Sequence, residues 1–167
     1  LIVYNIKGRT GINIDTDTLM TLAEHPMIVG VKEASGSLEQ MARIRASCPK
    51  DFLLISGDDA LTLPVMSIGG VGVISVVANI IPRDVADMCK AYEKGDLKRA
   101  EGLHYKMLPL VKAMFIETNP IPVKTAMAIV GLIAEEFRLP LCSLDAEARS
   151  GVEKVLRRHE MIEACAA

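Results

Sequence analysis

The feature that most constrains this chain is an alternation. Short apolar runs and amphipathic helical stretches follow one another four times before residue 95, and then the runs stop. The runs are Leu1-Ile2-Val3-Tyr4-Asn5, Ile28-Val29-Gly30-Val31-Lys32, Phe52-Leu53-Leu54-Ile55-Ser56 and Val71-Gly72-Val73-Ile74-Ser75-Val76. Each is short and flanked by turn residues, as in strands buried on both faces. The stretches between them carry helix signals. Residues 15–24 begin with Asp and Thr as candidate caps and place Leu19, Leu22 and Ala23 on one face. Ser37-Leu38-Glu39-Gln40 has capping-box spacing and opens a helix striped by Leu38, Met41 and Ile44. Gly57-Asp58-Asp59 turns into a third helix ending near Ile68, and Pro82 starts a fourth that runs to about Glu93. Regular alternation of this kind, with connections of a few residues, predicts an α/β fold with a parallel sheet. The pattern suits half of an open doubly wound sheet and half of a (β/α)8 barrel equally well.

Beyond Gly95 the pattern predicts only helices, over 96–115, 123–133 and 144–159, with Pro109 kinking the first. Leu97, Ala100, Leu103, Met107 and Met114 make the packing stripe of a helix that lies against other helices. The expected division is therefore 1–94, an alternating part, and 95–167, a helical subdomain. The chain opens at Leu1 inside a strand, which points to processing or to a longer parent polypeptide.

Composition narrows the function classes. Half of the 167 residues are apolar, yet there is no tryptophan and few aromatics, so the core is aliphatic and methionine-rich. Nineteen basic residues against twenty-one acidic ones give a net charge of −2. That balance leaves no electrostatic footprint for nucleic acid or an anionic membrane. The uncharged stretch 68–82 is broken by glycines and is too short to span a bilayer. No signal peptide is visible, and a cytoplasmic protein is expected. Cys48, Cys89, Cys142 and Cys165 are far apart, with no Cys-x-x-Cys pair, and read as reduced thiols. His25, His104 and His159 are equally isolated, so no metal site is expected.

Chemistry concentrates at strand ends. Lys32 closes the second run, where a charged residue suits the core badly and an active site well. A free lysine amine is almost wholly protonated at neutral pH, and desolvation is what frees such an amine to attack a carbonyl. Tyr4 closes the first run, and the Ser56-Gly57-Asp58-Asp59 turn closes the third. Parallel neighbouring strands would present all three from one rim. Arg9 lies in the polar loop just after Tyr4, within reach of a carboxylate. An amine, a phenol that shuttles protons and an arginine that holds an acid make sense together for a keto-acid substrate. Each of these residues also occurs for structural reasons alone: as a snorkelling lysine, a packed strand tyrosine, a solvated arginine, or helix-capping aspartates at Asp58-Asp59. Gly70-Val71-Gly72 enters a strand rather than following one, so it fails as a nucleotide loop.

Five segments then resemble one family in order and spacing. They are Tyr4-Asn5-Ile6-Lys7-Gly8-Arg9-Thr10-Gly11, Gly30-Val31-Lys32-Glu33-Ala34-Ser35-Gly36, Ser56-Gly57-Asp58-Asp59, Gly69-Gly70-Val71-Gly72-Val73-Ile74-Ser75-Val76 and Asn119-Pro120-Ile121-Pro122-Val123-Lys124. The family is the dihydrodipicolinate synthases, and the resemblance covers essentially the whole chain. It implies the barrel rather than the open sheet: strands five to eight of a (β/α)8 barrel (TIM barrel) followed by the C-terminal helices. It also implies roles. Lys32 matches the lysine that forms an imine with pyruvate, and Tyr4 the tyrosine that relays protons. Arg9 matches the arginine that engages the carboxylate of aspartate semialdehyde. Ile74 matches a residue whose backbone lines the pyruvate pocket, with Gly57 beside it. No metal or organic cofactor is implied, and homotetramers are usual in the family.

Two departures are visible. Lys7 stands where the family usually has proline, so the Arg9 loop is expected to be less rigid. The Gly-Thr-Thr-Gly-Glu loop that binds the pyruvate carboxylate in the family does not occur in these 167 residues. Nor do the threonine and second tyrosine of the relay, or most of the site at which lysine inhibits some members. Arg9 after Gly8 favours this family over the sibling N-acetylneuraminate lyases. The alternative of another class is a non-catalytic half barrel, either a fragment or an assembly partner with open strand edges.

Overall fold

Three short parallel strands organise the first part of the computed structural model, which describes residues 1–163. They are β1 (Ile2–Asn5), β2 (Gly30–Glu33) and β3 (Leu53–Ser56), hydrogen-bonded in that order. Their register is in step: Val3 faces Val31 and Leu54, Tyr4 faces Lys32 and Ile55, and Asn5 faces Glu33 and Ser56. Side chains alternate between the two faces of a sheet. One face therefore carries Val3, Val31 and Leu54, which join a core of Leu19, Met41, Ile44, Phe52 and Val65. The other carries Tyr4, Lys32 and Ile55.

Helices supply the covering layer. α1 (Lys7–Thr10) is a single turn, and α2 (Thr16–Ala23) and α3 (Leu38–Ser47) pack against each other. Asp15 caps α2 by accepting from the Thr18 N–H at 2.8 Å. Ser37 caps α3 by accepting from the Gln40 N–H at 3.1 Å. After β3, a 3-10 turn at Asp59–Leu61 leads into α4 (Thr62–Ser67).

The expected fourth strand is not a strand. Residues 71–74 run along β3, with Val71 N–H bonded to Leu54, Gly72 accepting from Ser56, and Ile74 N–H bonded to Ser56, at 2.8 to 3.0 Å. Only the pair Ser56 and Val73 forms a regular bridge. Gly72 sits at φ +141°, a backbone region closed to other residues, and this breaks the extended run into irregular backbone. The Ile6–Gly11 loop differs in the opposite direction, because it folds into the α1 turn. Lys7 takes the first helical position, where a proline is equally at home. Replacing that proline therefore leaves the turn formed: Arg9 and Thr10 donate to Ile6 O, and Gly11 donates to Lys7 O.

The remaining helices are α5 (Pro82–Glu93), α6 (Leu97–Ala113), α7 (Ile121–Ile129) and α8 (Ala146–Arg158), with a 3-10 turn at Val77–Asn79. Pro109 lies inside α6 as expected. α7 packs against α8, whose cap Asp145 accepts from the Ala148 N–H at 2.8 Å. The chain condenses into two compact units, 1–75 with 89–100, and 76–88 with 101–167. Uncharged sequence in fact extends back from residue 82 to Ala60, but it is divided among α4, the bridge and the second 3-10 turn. Among the described residues no helix is long and apolar enough to cross a membrane. Cys48 is buried, Cys89 half-buried and Cys142 exposed, all as free thiols, whereas Cys165 lies outside the described residues.

Burial also sets two titrations in the second unit. It holds the His104 imidazole below its ordinary 6.5. At His159 burial acts first in the same direction, helped by the Lys106 and Arg158 charges and opposed by Asp84. Both histidines fold preferentially in the neutral form. Their contribution is complete above the unfolded value and is lost as pH falls through the lower folded one. Acidification below about pH 6.5 should therefore lower the melting temperature, and replacing both residues by Asn should flatten that dependence. Removing the α3 cap, Ser37→Ala, should cost about 1 kcal/mol, read as a lower urea midpoint at unchanged slope.

Candidate active site

The register of β1 and β2 sets Tyr4 beside Lys32, and both side chains project from the face not packed by α2 and α3. The Lys32 Nζ lies 4.1 Å from the centroid of the Tyr4 ring. At that distance the electron-rich ring face attracts the amine head. Tyr4 remains 42% exposed, so an incoming ligand can reach the pair. The arrangement places a nucleophile and a phenol proton donor together at the C-terminal ends of adjacent parallel strands. Active sites of closed α/β barrels are built at that end.

Gly57 completes the wall beside the lysine. A Cβ added there would lie 2.7 Å from the Ala34 Cβ, 3.1 Å from the Glu33 carbonyl oxygen and 3.2 Å from the Lys32 Cε. The first distance is shorter than real carbon contacts allow, so only glycine lets β3's exit pass this close to Lys32. Its N–H donates to Glu33 O at 2.8 Å, which ties that exit to the end of β2. Ile74 follows the bridge to β3, donates its N–H to Ser56 O at 3.0 Å, and is 44% exposed. Tyr4, Lys32 and Gly57 thus lie at the ends of three consecutive strands, and Ile74 follows in the irregular segment bonded to β3. Arg9 sits on α1, five residues after Tyr4, with an exposed side chain.

Beneath the lysine is a feature that the sequence motifs do not announce. Glu33 and Asn5 are completely buried and face each other across the register. The Asn5 Nδ2 donates to the two Glu33 carboxylate oxygens at 3.2 and 2.9 Å. The Ser35 N–H donates to Oε1 at 2.7 Å, and the Gln40 Nε2 approaches Oε2 at 3.4 Å. Asn13 and Ile14 extend the network to the α1–α2 loop: Asn5 Nδ2 reaches Asn13 Oδ1 at 3.0 Å, and Ile14 N–H donates to Asn5 Oδ1 at 3.0 Å. Gln40 therefore does not return to Ser37 as a full capping box would, because its side chain is spent on Glu33, Asn13 and Ile14. The signal for this network was present in the alternation itself. In a strand ending Val31-Lys32-Glu33, an outward Lys32 forces Glu33 inward. Among the described residues no group of three or more His, Cys, Asp or Glu side chains is arranged to hold a metal ion.

Comparison with known proteins agrees with this geometry. The sequence model of the Dihydrodipicolinate synthetase family matches residues 1–159. The 4-hydroxy-tetrahydrodipicolinate synthase of Endomicrobium trichonymphae is 55% identical over 158 residues, covering 94% of this chain and 54% of that protein. The protein of the same name from Thermodesulfovibrio yellowstonii is 51% identical over 162 residues, covering 97% and 56%. The crystal structure of dihydrodipicolinate synthase from Aquifex aeolicus superposes with a TM-score of 0.94 at 42% identity, over 96% of this chain and 55% of that one. The Thermotoga maritima enzyme gives 0.93 at 38% identity, over 96% and 56%. The chain thus spans about half the length of the relatives it matches. With a family match over nearly all its length, and a fold shared with those structures, the chain belongs to the dihydrodipicolinate synthetase family of α/β barrel proteins.

Proposed function

We propose that this chain carries the Schiff-base centre of a lyase that condenses pyruvate with L-aspartate 4-semialdehyde to 4-hydroxy-tetrahydrodipicolinate. That product lies on the route to diaminopimelate and lysine. The observation that carries the reading is the Lys32 amine held against the Tyr4 phenol at adjacent strand ends. Support comes from the name borne by relatives about half identical to the chain.

In this reading the Lys32 nitrogen attacks the keto carbon of pyruvate. The carbinolamine hydroxyl leaves as water with a proton relayed through Tyr4. The cationic imine nitrogen then acidifies the adjacent methyl group, and loss of a methyl proton gives an enamine. Its carbon attacks the aldehyde of the second substrate, whose oxygen takes up a proton. The amine of that substrate adds to the imine carbon, closes the ring and releases Lys32. Arg9 holds the carboxylate of the semialdehyde. Gly57 and the backbone at Ile74 shape the space around the pyruvate unit. This chemistry asks for no metal and no organic cofactor.

We further assign β1 to β3 and the 71–74 segment to strands five to eight of the family barrel, with 1–94 as the barrel part and 95–167 as the helical subdomain. Supporting this order, only helices follow the last bridge among the described residues. We place the protein in the cytoplasm and assign the family's homotetramer, although one solved relative is described as a monomeric variant. The chain spans about half its relatives and contains no Gly-Thr-Thr-Gly-Glu run, which favours a second statement: the 167 residues alone form half a site.

Coupled assays with pyruvate and each aldehyde partner test the substrate. Turnover with the N-acetylneuraminate lyase partner sugar but not with the semialdehyde would move the site to the sibling enzymes. For the 167 residues alone we expect no turnover, or only slow imine formation. Lysine-pathway turnover at roughly 1 per second or faster would contradict the half-site statement. Tyr4→Phe should slow imine formation, followed with carbonyl-labelled pyruvate by NMR, by about 100-fold or more, as expected when a positioned proton donor is removed.

A further inference from the structure

We propose that Glu33 is a positioning residue for Lys32. Its buried carboxylate locks the ends of β1 and β2 together, so that the lysine amine stays against the Tyr4 ring. The proposal deepens the function given above, in which Lys32 is the reacting amine.

The premise is a buried, hydrogen-bonded carboxyl group. Glu33 is 0% exposed, and the donors to its carboxylate are neutral amides: Asn5 Nδ2, the Ser35 N–H and Gln40 Nε2. Burying a carboxylate among neutral groups is unfavourable unless its oxygens are well hydrogen-bonded, and a well-packed apolar residue would often serve stability better. What the carboxylate contributes is direction. It accepts from Asn5 at the end of β1, from the backbone just after β2 and from α3, three segments that no single apolar contact would hold in fixed orientation.

The two residues at the centre of this network, Asn5 and Glu33, each lie one residue from the reacting pair. Asn5 follows Tyr4, and Glu33 follows Lys32, in matching register. Because side chains alternate, fixing Asn5 and Glu33 on the helix side fixes the outward vectors of Tyr4 and Lys32 on the other. The backbone reinforces the lock. Asn5 O accepts from the Ala34 N–H at 2.9 Å, and Glu33 O accepts from the Gly57 N–H at 2.8 Å. Asn5 is itself held by Asn13 and Ile14, so β1's end cannot rotate without breaking the network. A small misplacement of a reacting group costs far more in rate than in stability.

The test reads the Lys32–Tyr4 contact directly in the 167-residue chain. A methylene group above an aromatic ring resonates upfield, so the Lys32 ε-protons, identified by their loss in Lys32→Arg, should lie upfield of the other lysines. Glu33→Gln keeps the size but turns an amide donor toward the Asn5 and Gln40 donors. It should lose at least half of the upfield displacement while core methyl resonances remain dispersed. Adding Asn5→Asp gives the new amide an acceptor and should restore at least half of what was lost. Where pyruvate imine forms, its rate per folded molecule should fall about tenfold in Glu33→Gln and recover in the double variant. A purely structural role predicts a lower melting temperature with the displacement unchanged, and that result overturns the proposal. So does a wild-type Lys32 without upfield displacement, or a double variant that folds but restores nothing. If Glu33→Gln does not fold, Gln40→Ala removes one donor from α3 and should give a partial loss, and an unchanged displacement there overturns the proposal equally. A reduced pyruvate adduct formed on another lysine, with Lys32 left free, sinks the reading of Lys32 as the reacting amine, while the positioning result stands on the NMR.

Discussion

The parallel register of β1, β2 and β3 is the constraint on which the site depends. It creates two rows at the strand ends, one residue apart. Tyr4, Lys32 and Ile55 form the row on the face away from α2 and α3, and Asn5, Glu33 and Ser56 the row against the helices. A slip of one residue in either pairing would exchange the rows, burying an amine and exposing a carboxylate. The apolar row before them, Val3, Val31 and Leu54, works against such a slip because it must meet Leu19, Met41, Ile44 and Val65. Burial of the core thus sets the chemistry at the strand ends through the two-residue period of the strand.

Polar groups then finish what the apolar pattern begins. The core specifies which face each residue takes, but it says little about side-chain direction at the rim, where the strands give way to loops. There the Asn5–Glu33 pair, the Gly57 N–H and the bridge at Val73 tie successive strand exits to one another. Gly57 shows how closely these exits approach, since one methyl group more would collide with Ala34. The site is a product of the joined exits rather than of any one segment.

Much of this was legible in the chain because the signals were local. Asp15 and Ser37 announce helix starts through their own side-chain chemistry, and Pro82 opens α5 because its ring suits a first helical turn. That Tyr4, Lys32 and Ser56 lie at strand ends or one residue before them follows from apolar runs bounded by polar residues, although β2 runs on through Glu33. What was not legible depends on partners distant in sequence. Val71 to Val76 has strand composition, but one glycine at positive φ interrupts it, and only the bonds to β3 show how much pairing survives. Gln40 looks like the return arm of a capping box, yet its Oε1 accepts from Asn13 Nδ2, far away in sequence, and the Ser37 N–H donates to Ser35 Oγ instead. The Lys7–Thr10 turn was hidden because a four-residue helix has too little pattern to be read.

The central claim is that Lys32 is the residue that bonds to pyruvate. It is tested most directly by adding pyruvate and borohydride to the chain and locating the adduct by peptide mass mapping. The account predicts one reduced carboxyethyl group on the Lys32 Nζ, absent without pyruvate and absent in Lys32→Arg. Modification spread over surface lysines, or confined to another lysine while Lys32 stays free, would contradict it.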